Sequence, residues 1–319
     1  MGKARPRKGR PVSGVVLLNK AKGMSSNHAL QRVKRLYNAQ KAGHTGALDP
    51  LATGLLPVCL GEATKFSQYL LDADKAYRVV AKLGIRTTTS DAEGDVVATA
   101  EVTVTEAQVR DVLPTFIGEQ QQTPSIYSAL KYEGRPLYYY ARRGIDVPRK
   151  TRTIHIHQID FIALKGDELE LQVSCSKGTY IRTLIDDLGQ VLGCGAHVAL
   201  LHRNGVAELD AEQMLTLEQL EQRDSDAELD ALLQPVDCLL SALPQQRIDR
   251  QQARALLHGQ PVANYTDLAE VGDECRMVAQ RIDGGDAFIG VAALRKDGQF
   301  WPKRVLALAF CDLQLDDLQ

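Results

Sequence analysis

The chain has 319 residues, 44% hydrophobic and 24% charged, with a formal net charge of −2. That length supports one large core or two smaller ones, and the composition excludes disordered, collagenous and disulfide-scaffold classes. No apolar run approaches a membrane span and no apolar h-region follows the basic N-terminus, so neither membrane insertion nor export is expected.

Charge is unevenly spread. No acidic residue precedes Asp49, while eleven Lys and Arg do, from Lys3 to Lys41; the remainder holds 27 basic residues against 40 acidic. Such segregation points to a polyanionic partner. Residues 14–18, GVVLL, read as a short buried strand. Ser25 or Ser26 offers an N-cap for a helix with Ala29, Val33, Leu36 and Tyr37 on one stripe. Residues 42–54, AGHTGALDPLATG, read as a loop, and GLLPVCLG as an apolar strand. Over 77–85 strict alternation predicts a half-buried strand, with Tyr77, Val79, Ala81, Leu83 and Ile85 on one face. A helix is expected from Thr105 to Phe116. The strand LELQVSC over 169–175 turns through SKGT into a helix with Ile181, Leu184, Ile185, Leu188, Val191 and Leu192 at helical spacing. The Gln- and acid-rich stretch 218–230 reads as a surface helix with its linker. Leu243-Pro244 marks a boundary, beyond which strands CRMVAQ and FIGVAAL join through Asp283-Gly284-Gly285, and Asp297-Gly298 turns into a strand ending near Leu308. The six cysteines form no CxxC pair, which favours reduced packed thiols in a cytoplasmic protein over a zinc site.

Three places carry chemistry. Asp49, in a glycine-rich loop beside Pro50, is a carboxylate among cations and should stay ionised, which suits a nucleophile; a plain turn-forming Asp fits the same residues. Arg182 stands in the first turn of a predicted helix, where the dipole disfavours a cation, and so needs an anionic partner or open solvent. Residues 123–153 hold seven basic residues and five of the ten tyrosines; cations for phosphates and aromatic faces for unstacked bases suit loop RNA. His155 and His157 share one strand face without a third ligand nearby, and neither metal nor cofactor is expected. No phosphate loop, GxGxxG, GxSxG or HExxH occurs.

The stretch from Gly43 to Gly54, GHTGALDPLATG, resembles the nucleophile motif of the TruB family of tRNA pseudouridine synthases. LLNKAKGMSS, DKAYRVVAKLG, CSKGTYIRTLIDDLG and GCGAHVALLHRNGV resemble the family's remaining motifs, so the likeness covers most of residues 12–206. The resemblance implies that Asp49 is the catalytic aspartate, that Arg182 pairs with it, and that Tyr77 stacks on the target base and carries a proton. It implies that Tyr180 and Leu201 line the base pocket, that His44 stacks to support the opened loop, and that Lys20 and Lys65 are scaffold or phosphate contacts. Two departures stand out. Ala21 follows Lys20 where the family commonly has Pro, and His202 precedes Arg203 where it often has Arg, making one phosphate contact weaker or pH-sensitive.

The expected fold is α/β (α+β): a mixed, largely antiparallel pseudouridine-synthase sheet with flanking helices over residues 1–245, with an RNA-gripping insertion at 123–153. A small PUA-like β-barrel over 246–319 follows. The implied activity is isomerisation of uridine 55 in the tRNA T-loop by a monomer that needs no protein partner. That reaction breaks N1–C1′ and forms C5–C1′ with no net electron or group transfer. The target base must first be flipped out. The alternative is an RNA-binding, tRNA-folding protein without essential catalysis, which would not need Asp49 and Arg182 together.

Overall fold

The computed structural model describes residues 9–264, 270–281 and 284–311. Four of the eleven early basic residues, Lys3, Arg5, Arg7 and Lys8, and Asp283 of the expected turn lie outside the described residues.

Strand β1 (Gly14–Lys20) is apolar without alternation because both its faces are covered. Val16 and Leu18 enter one core, and Val15 and Leu17 enter a second. Helix α1 (Ser26–Leu36) begins at Ser25, whose hydroxyl accepts from His28 N at 3.2 Å. The expected loop over 42–54 contains a short strand, β2 (Ala42–His44), which pairs antiparallel with β3 (Thr53–Leu60); the small residues expected to make a loop fit an edge strand equally well. Helix α2 (Ser67–Leu71) leads into β4 (Lys75–Leu83). There Val79, Ala81 and Leu83 are buried and Arg78 is exposed, as the alternation predicts. Strands β5 (Ile85–Thr87) and β6 (Val96–Thr99) form a side hairpin. Helix α3 (Glu106–Val112), with a Thr105–Gln108 capping box, continues as a 3-10 turn to Phe116.

Strand β7 (Gly118–Gln122) precedes the insertion, which folds as a small hairpin, β8 (Lys131–Tyr132) and β9 (Arg135–Pro136), followed by α4 (Leu137–Ala141). Strands β10 (Arg152–Lys165) and β11 (Glu168–Cys175), helix α5 (Ile181–Val191) and strand β12 (Ala196–Val206) complete the main sheet. Its order is β1-β3-β12-β4-β11-β10-β7, with β2 beside β3, and only β3–β12 is parallel. The stretch 218–230 forms two short helices, α6 (Leu217–Glu221) and α7 (Asp226–Asp230), because Ser225 starts a new cap after the chain turns at 222–224.

From Gln245 onward the chain builds a second sheet: β13 (Gln245–Ile248), β14 (Val262–Ala263), β15 (Glu274–Gln280), β16 (Asp286–Leu294) and β17 (Gln299–Val305), in the order β13-β15-β16-β17-β14. Helix α8 (Arg250–Leu257) packs on it. The sheet is a half-barrel, whose edge strands β13 and β14 do not pair among the described residues. The second core is shared between the sheets. Leu55, Phe66 and Leu70 cluster with Leu239, Met277, Ile289 and Phe300, and Phe66 meets Phe288 edge to face at 5.2 Å.

Candidate active site

The loop carrying Asp49 is fixed from below. Ser26 Oγ donates to Leu48 O at 3.0 Å and accepts from Leu48 N at 2.7 Å. Gly23 N donates to Pro50 O at 2.8 Å, and Ala52 N to Asp49 O at 3.1 Å. Gly54 follows with φ +98°, and a Cβ there would lie 2.3 Å from Arg203 O. Only glycine lets β3 run this close beside β12, where Gly54 pairs with Arg203.

Asp49 opens into a cavity of about 250 Å³ whose lining includes Tyr77, Ser128, Tyr180, Arg182 and Leu201. Across it, Arg182 Nε meets Asp49 Oδ2 at 3.0 Å. The same guanidinium reaches Asp91 Oδ2 at 3.2 Å and donates to Thr89 O and Tyr127 O, each at 3.1 Å. Arg182 is 5% exposed. A buried cation at a helix start is costly, and two carboxylates and two carbonyls offset that cost. Asp91 is itself held by Thr89 Oγ1 at 2.6 Å and Glu93 N at 3.0 Å.

Asp49 keeps 44% of its side chain open, but to a cleft rather than to bulk water. Burial is therefore the largest influence and pushes its carboxyl above the ordinary value; Arg182 and Lys20 oppose this and Asp91 adds to it. The sequence reading, in which surrounding cations dominate, is corrected on this point: the cations are present and desolvation outweighs them. On β4, burial likewise raises the phenol of Tyr77, while neighbouring Arg203 draws it down. Arg203 is 1% exposed, donating to Leu55 O at 2.8 Å and Gly46 O at 3.2 Å.

Tyr180 is the N-cap of α5 and lacks a side-chain cap of its own. Gln122 holds it from β7, accepting from Tyr180 N at 2.8 Å and donating to Tyr180 O at 3.1 Å. The Arg152 guanidinium sits 5.7 Å from the Tyr180 ring centre. Of the remaining expected site residues, three lie off the cavity lining. Lys20 is 0% exposed and donates to Ala21 O at 2.9 Å, Met24 O at 2.8 Å and Pro50 O at 3.4 Å. Its geometry is that of a scaffold beneath the Asp49 loop, and burial lowers its pKa to about 8. His44 ends β2, half-buried; burial and Arg203 push its imidazole down, which favours the neutral ring. Lys65 is placed elsewhere: it pairs with Glu62 at 2.6 Å and donates to Val305 O at 3.1 Å, joining the first sheet to the second. Of the two roles expected for Lys65, scaffold or phosphate contact, these bonds match the scaffold. His202 turns its Nδ1 to Thr53 Oγ1 at 2.8 Å.

Residues 34–181 match a model described as TruB family pseudouridylate synthase (N terminal domain). Residues 182–241 match a tRNA pseudouridylate synthase B C-terminal domain, and 244–306 a pseudouridine synthase II TruB C-terminal model. The chain is 62% identical over 315 residues to tRNA pseudouridine synthase B of Idiomarina loihiensis, covering 98% of this chain and 100% of that one. The chain belongs to the TruB family of pseudouridylate synthases. A further TruB-family relative, tRNA pseudouridine synthase B of Vibrio vulnificus, is 54% identical over 95% of this chain and 98% of its own. Among solved structures, a Cbf5-Nop10-Gar1 complex is similar in fold, with a TM-score of 0.69 at 24% identity, covering 93% of this chain and 86% of that one.

Asp91, Ser26, Gln122 and Arg203 escape the sequence reading. Asp91 follows a run of Thr and Ser that looks like any turn, and the odd feature that would have pointed to it is Arg182's need for an anion. Ser26 reads in sequence as a helix cap, and its bond to Leu48 joins residues 22 positions apart.

Proposed function

We propose that this TruB-family chain converts the T-loop uridine at tRNA position 55 to pseudouridine, with the tRNA T-arm stem-loop as its partner. The observation that carries the reading is the Asp49–Arg182 pair lining a cavity of about 250 Å³, in a chain of this family. Asp49 attacks the flipped ribose and Arg182 holds its carboxylate in line. Tyr77 lies against the base and moves the C5 proton; burial raises its phenol and Arg203 beside it only partly opposes that. Tyr180 and Leu201 enclose the detached uracil. These steps need neither metal nor cofactor. We infer further that residues 1–245 act as the catalytic unit and 246–319 as a PUA-like RNA-binding unit, in a cytoplasmic enzyme.

The test is tritium release from [5-³H]uridine-labelled tRNA. Wild type should release tritium. Asp49→Asn should lose at least ~10⁴-fold in rate, as nucleophile deletions do. Tyr77→Phe should be severely slowed, and unchanged turnover there would remove Tyr77 from proton transfer. No release from the wild type, with tight tRNA binding retained, would favour an RNA-folding role instead.

A further inference from the structure

Folding normally pairs every buried polar atom, because an unpaired one forfeits its bonds to water. Among the described residues, four buried side-chain polar atoms lack a hydrogen-bond partner: His44 Nδ1, Thr45 Oγ1, Ser128 Oγ and Arg276 Nε. Of these residues, only Ser128 lines the cavity that Asp49 opens into. It is 2% exposed. The Tyr180 phenol lies close enough that a hydrogen bond with Ser128 would draw its raised pKa back down. The two nevertheless do not meet in hydrogen-bond geometry, and the Ser128 Oγ stays unpaired.

The backbone around Ser128 is pinned from two sides. Arg182 Nη2 donates to Tyr127 O at 3.1 Å, and Tyr138 N donates to Ser128 O at 3.1 Å. One bond comes from the guanidinium that holds Asp49, the other from helix α4 of the Tyr- and Arg-rich insertion. Ser128 is thus fixed at the junction of insertion and catalytic centre, with its buried side-chain hydroxyl left unpaired. A pyrimidine in this cavity presents the complement: carbonyl oxygens at O2 and O4 that accept and an N3–H that donates, all of which a hydroxyl can meet.

We propose that Ser128 is a base-positioning residue, whose hydroxyl is left unpaired in the free protein so that it can bond the polar edge of the flipped uracil and hold it while the base turns between N1 and C5 attachment. The proposal rests on the pseudouridine-synthase reading of the cavity. It gives a signature that a structural serine would not. Removing an unpaired buried hydroxyl should leave the free protein as stable as before or more so, while slowing the reaction.

The experiment compares wild type, Ser128→Ala and Ser128→Thr in full-length protein, by single-turnover tritium release, tRNA binding and thermal melting. Ser128→Ala should slow the single-turnover rate roughly 3- to 10-fold, the worth of one hydrogen bond, with tRNA affinity unchanged and Tm equal or higher. Ser128→Thr, which keeps the hydroxyl, should recover most of the rate. A Ser128→Ala rate equal to wild type overturns the proposal, and so does a Tm that falls together with the rate. If wild type itself releases no tritium, the functional reading fails first, an outcome distinct from either.

Discussion

Beneath the cavity, Lys20 and Arg203 are buried to the last few per cent and donate to backbone carbonyls. Along the insertion, Arg135, Arg142 and Arg143 are exposed and lie over tyrosine rings. Tyr139 has the Arg143 guanidinium 3.7 Å from its centre and that of Arg135 at 4.5 Å. The two regions share residue types and use them oppositely. In one, a cation is an internal brace whose charge is met by the fold. In the other, the aromatic ring supports the cation's flat face; Arg143 Nη1 donates to Tyr139 O at 3.1 Å, and the guanidinium's other N–H groups can meet a phosphate. Counting basic residues therefore does not map an RNA-binding surface; burial decides which of them can reach RNA. Helix α1 carries only the outer kind, with Arg32 paired to Glu221 at the surface and Arg35 exposed.

The contrast can be broken most severely at Arg182, the brace that touches the proposed chemistry. Arg182→Met should cut single-turnover rate by roughly 10²–10³-fold, as loss of a positioned catalytic cation does. It should also lower stability by about 3 kcal/mol, because Asp91 is left buried without its cation. Arg182 opposes the burial that raises Asp49. Its removal should shift the acid limb of whatever rate remains to higher pH, measurable as a pH–rate profile. An acid limb that stays in place would mean that Asp49 is not the titrating group.

Lys20→Met tests an internal brace directly. Three carbonyls lose their donor, so denaturant unfolding should show a loss of about 1–3 kcal/mol, while the salt dependence of tRNA binding stays unchanged. The pH dependence has a definite sign. Burial lowers the Lys20 ammonium to about 8 in the folded protein, against the ordinary lysine value of 10.5. Between these values the unfolded chain binds more protons, so wild-type stability rises with pH through that window. Lys20→Met lacks this term, and the stability gap between the two should widen from pH 8 to pH 10.5.

The smallest effect is expected at the insertion. Arg143→Ala should change stability by no more than ~0.5 kcal/mol and reduce the salt slope of tRNA binding by about 0.7–0.9. A stability loss at Arg143, or a shallower salt slope at Lys20, would erase the distinction between the two regions.

The sequence made much of this legible. Alternation in β4, the uninterrupted apolar run of β1 and the helical stripe of α5 are each local patterns, and the structure follows them with two exceptions: β4 ends at Leu83, leaving Ile85 to β5, and Val191 on the α5 stripe is 60% exposed. Asp49 and Arg182 were readable as a nucleophile candidate and a cation in need of an anion. What was not readable depends on the third dimension. Nothing local separates Lys20, buried, from Arg35, exposed. Asp91 becomes meaningful only when β12 brings Val198 alongside it. Lys65 sits in a motif-rich region yet points to a strand 240 residues away. The short helices α6 and α7 look like one helix until Ser225 is seen capping the second.

The two-faced burial of β1 has a consequence for dissecting this protein. Val15 and Leu17 face a core completed by strands after Gln245, and Val16 and Leu18 face the core under the cavity. One strand thus belongs to two hydrophobic units at once. A chain cut near Pro244 would bare Leu55, Phe66 and Leu239 to water and loosen the strand hydrogen-bonded to β3, which leads out of the Asp49 loop. Calorimetry should record a single melting transition for the whole chain. Activity lost on truncation would then report a collapsed scaffold before it reported anything about affinity for RNA.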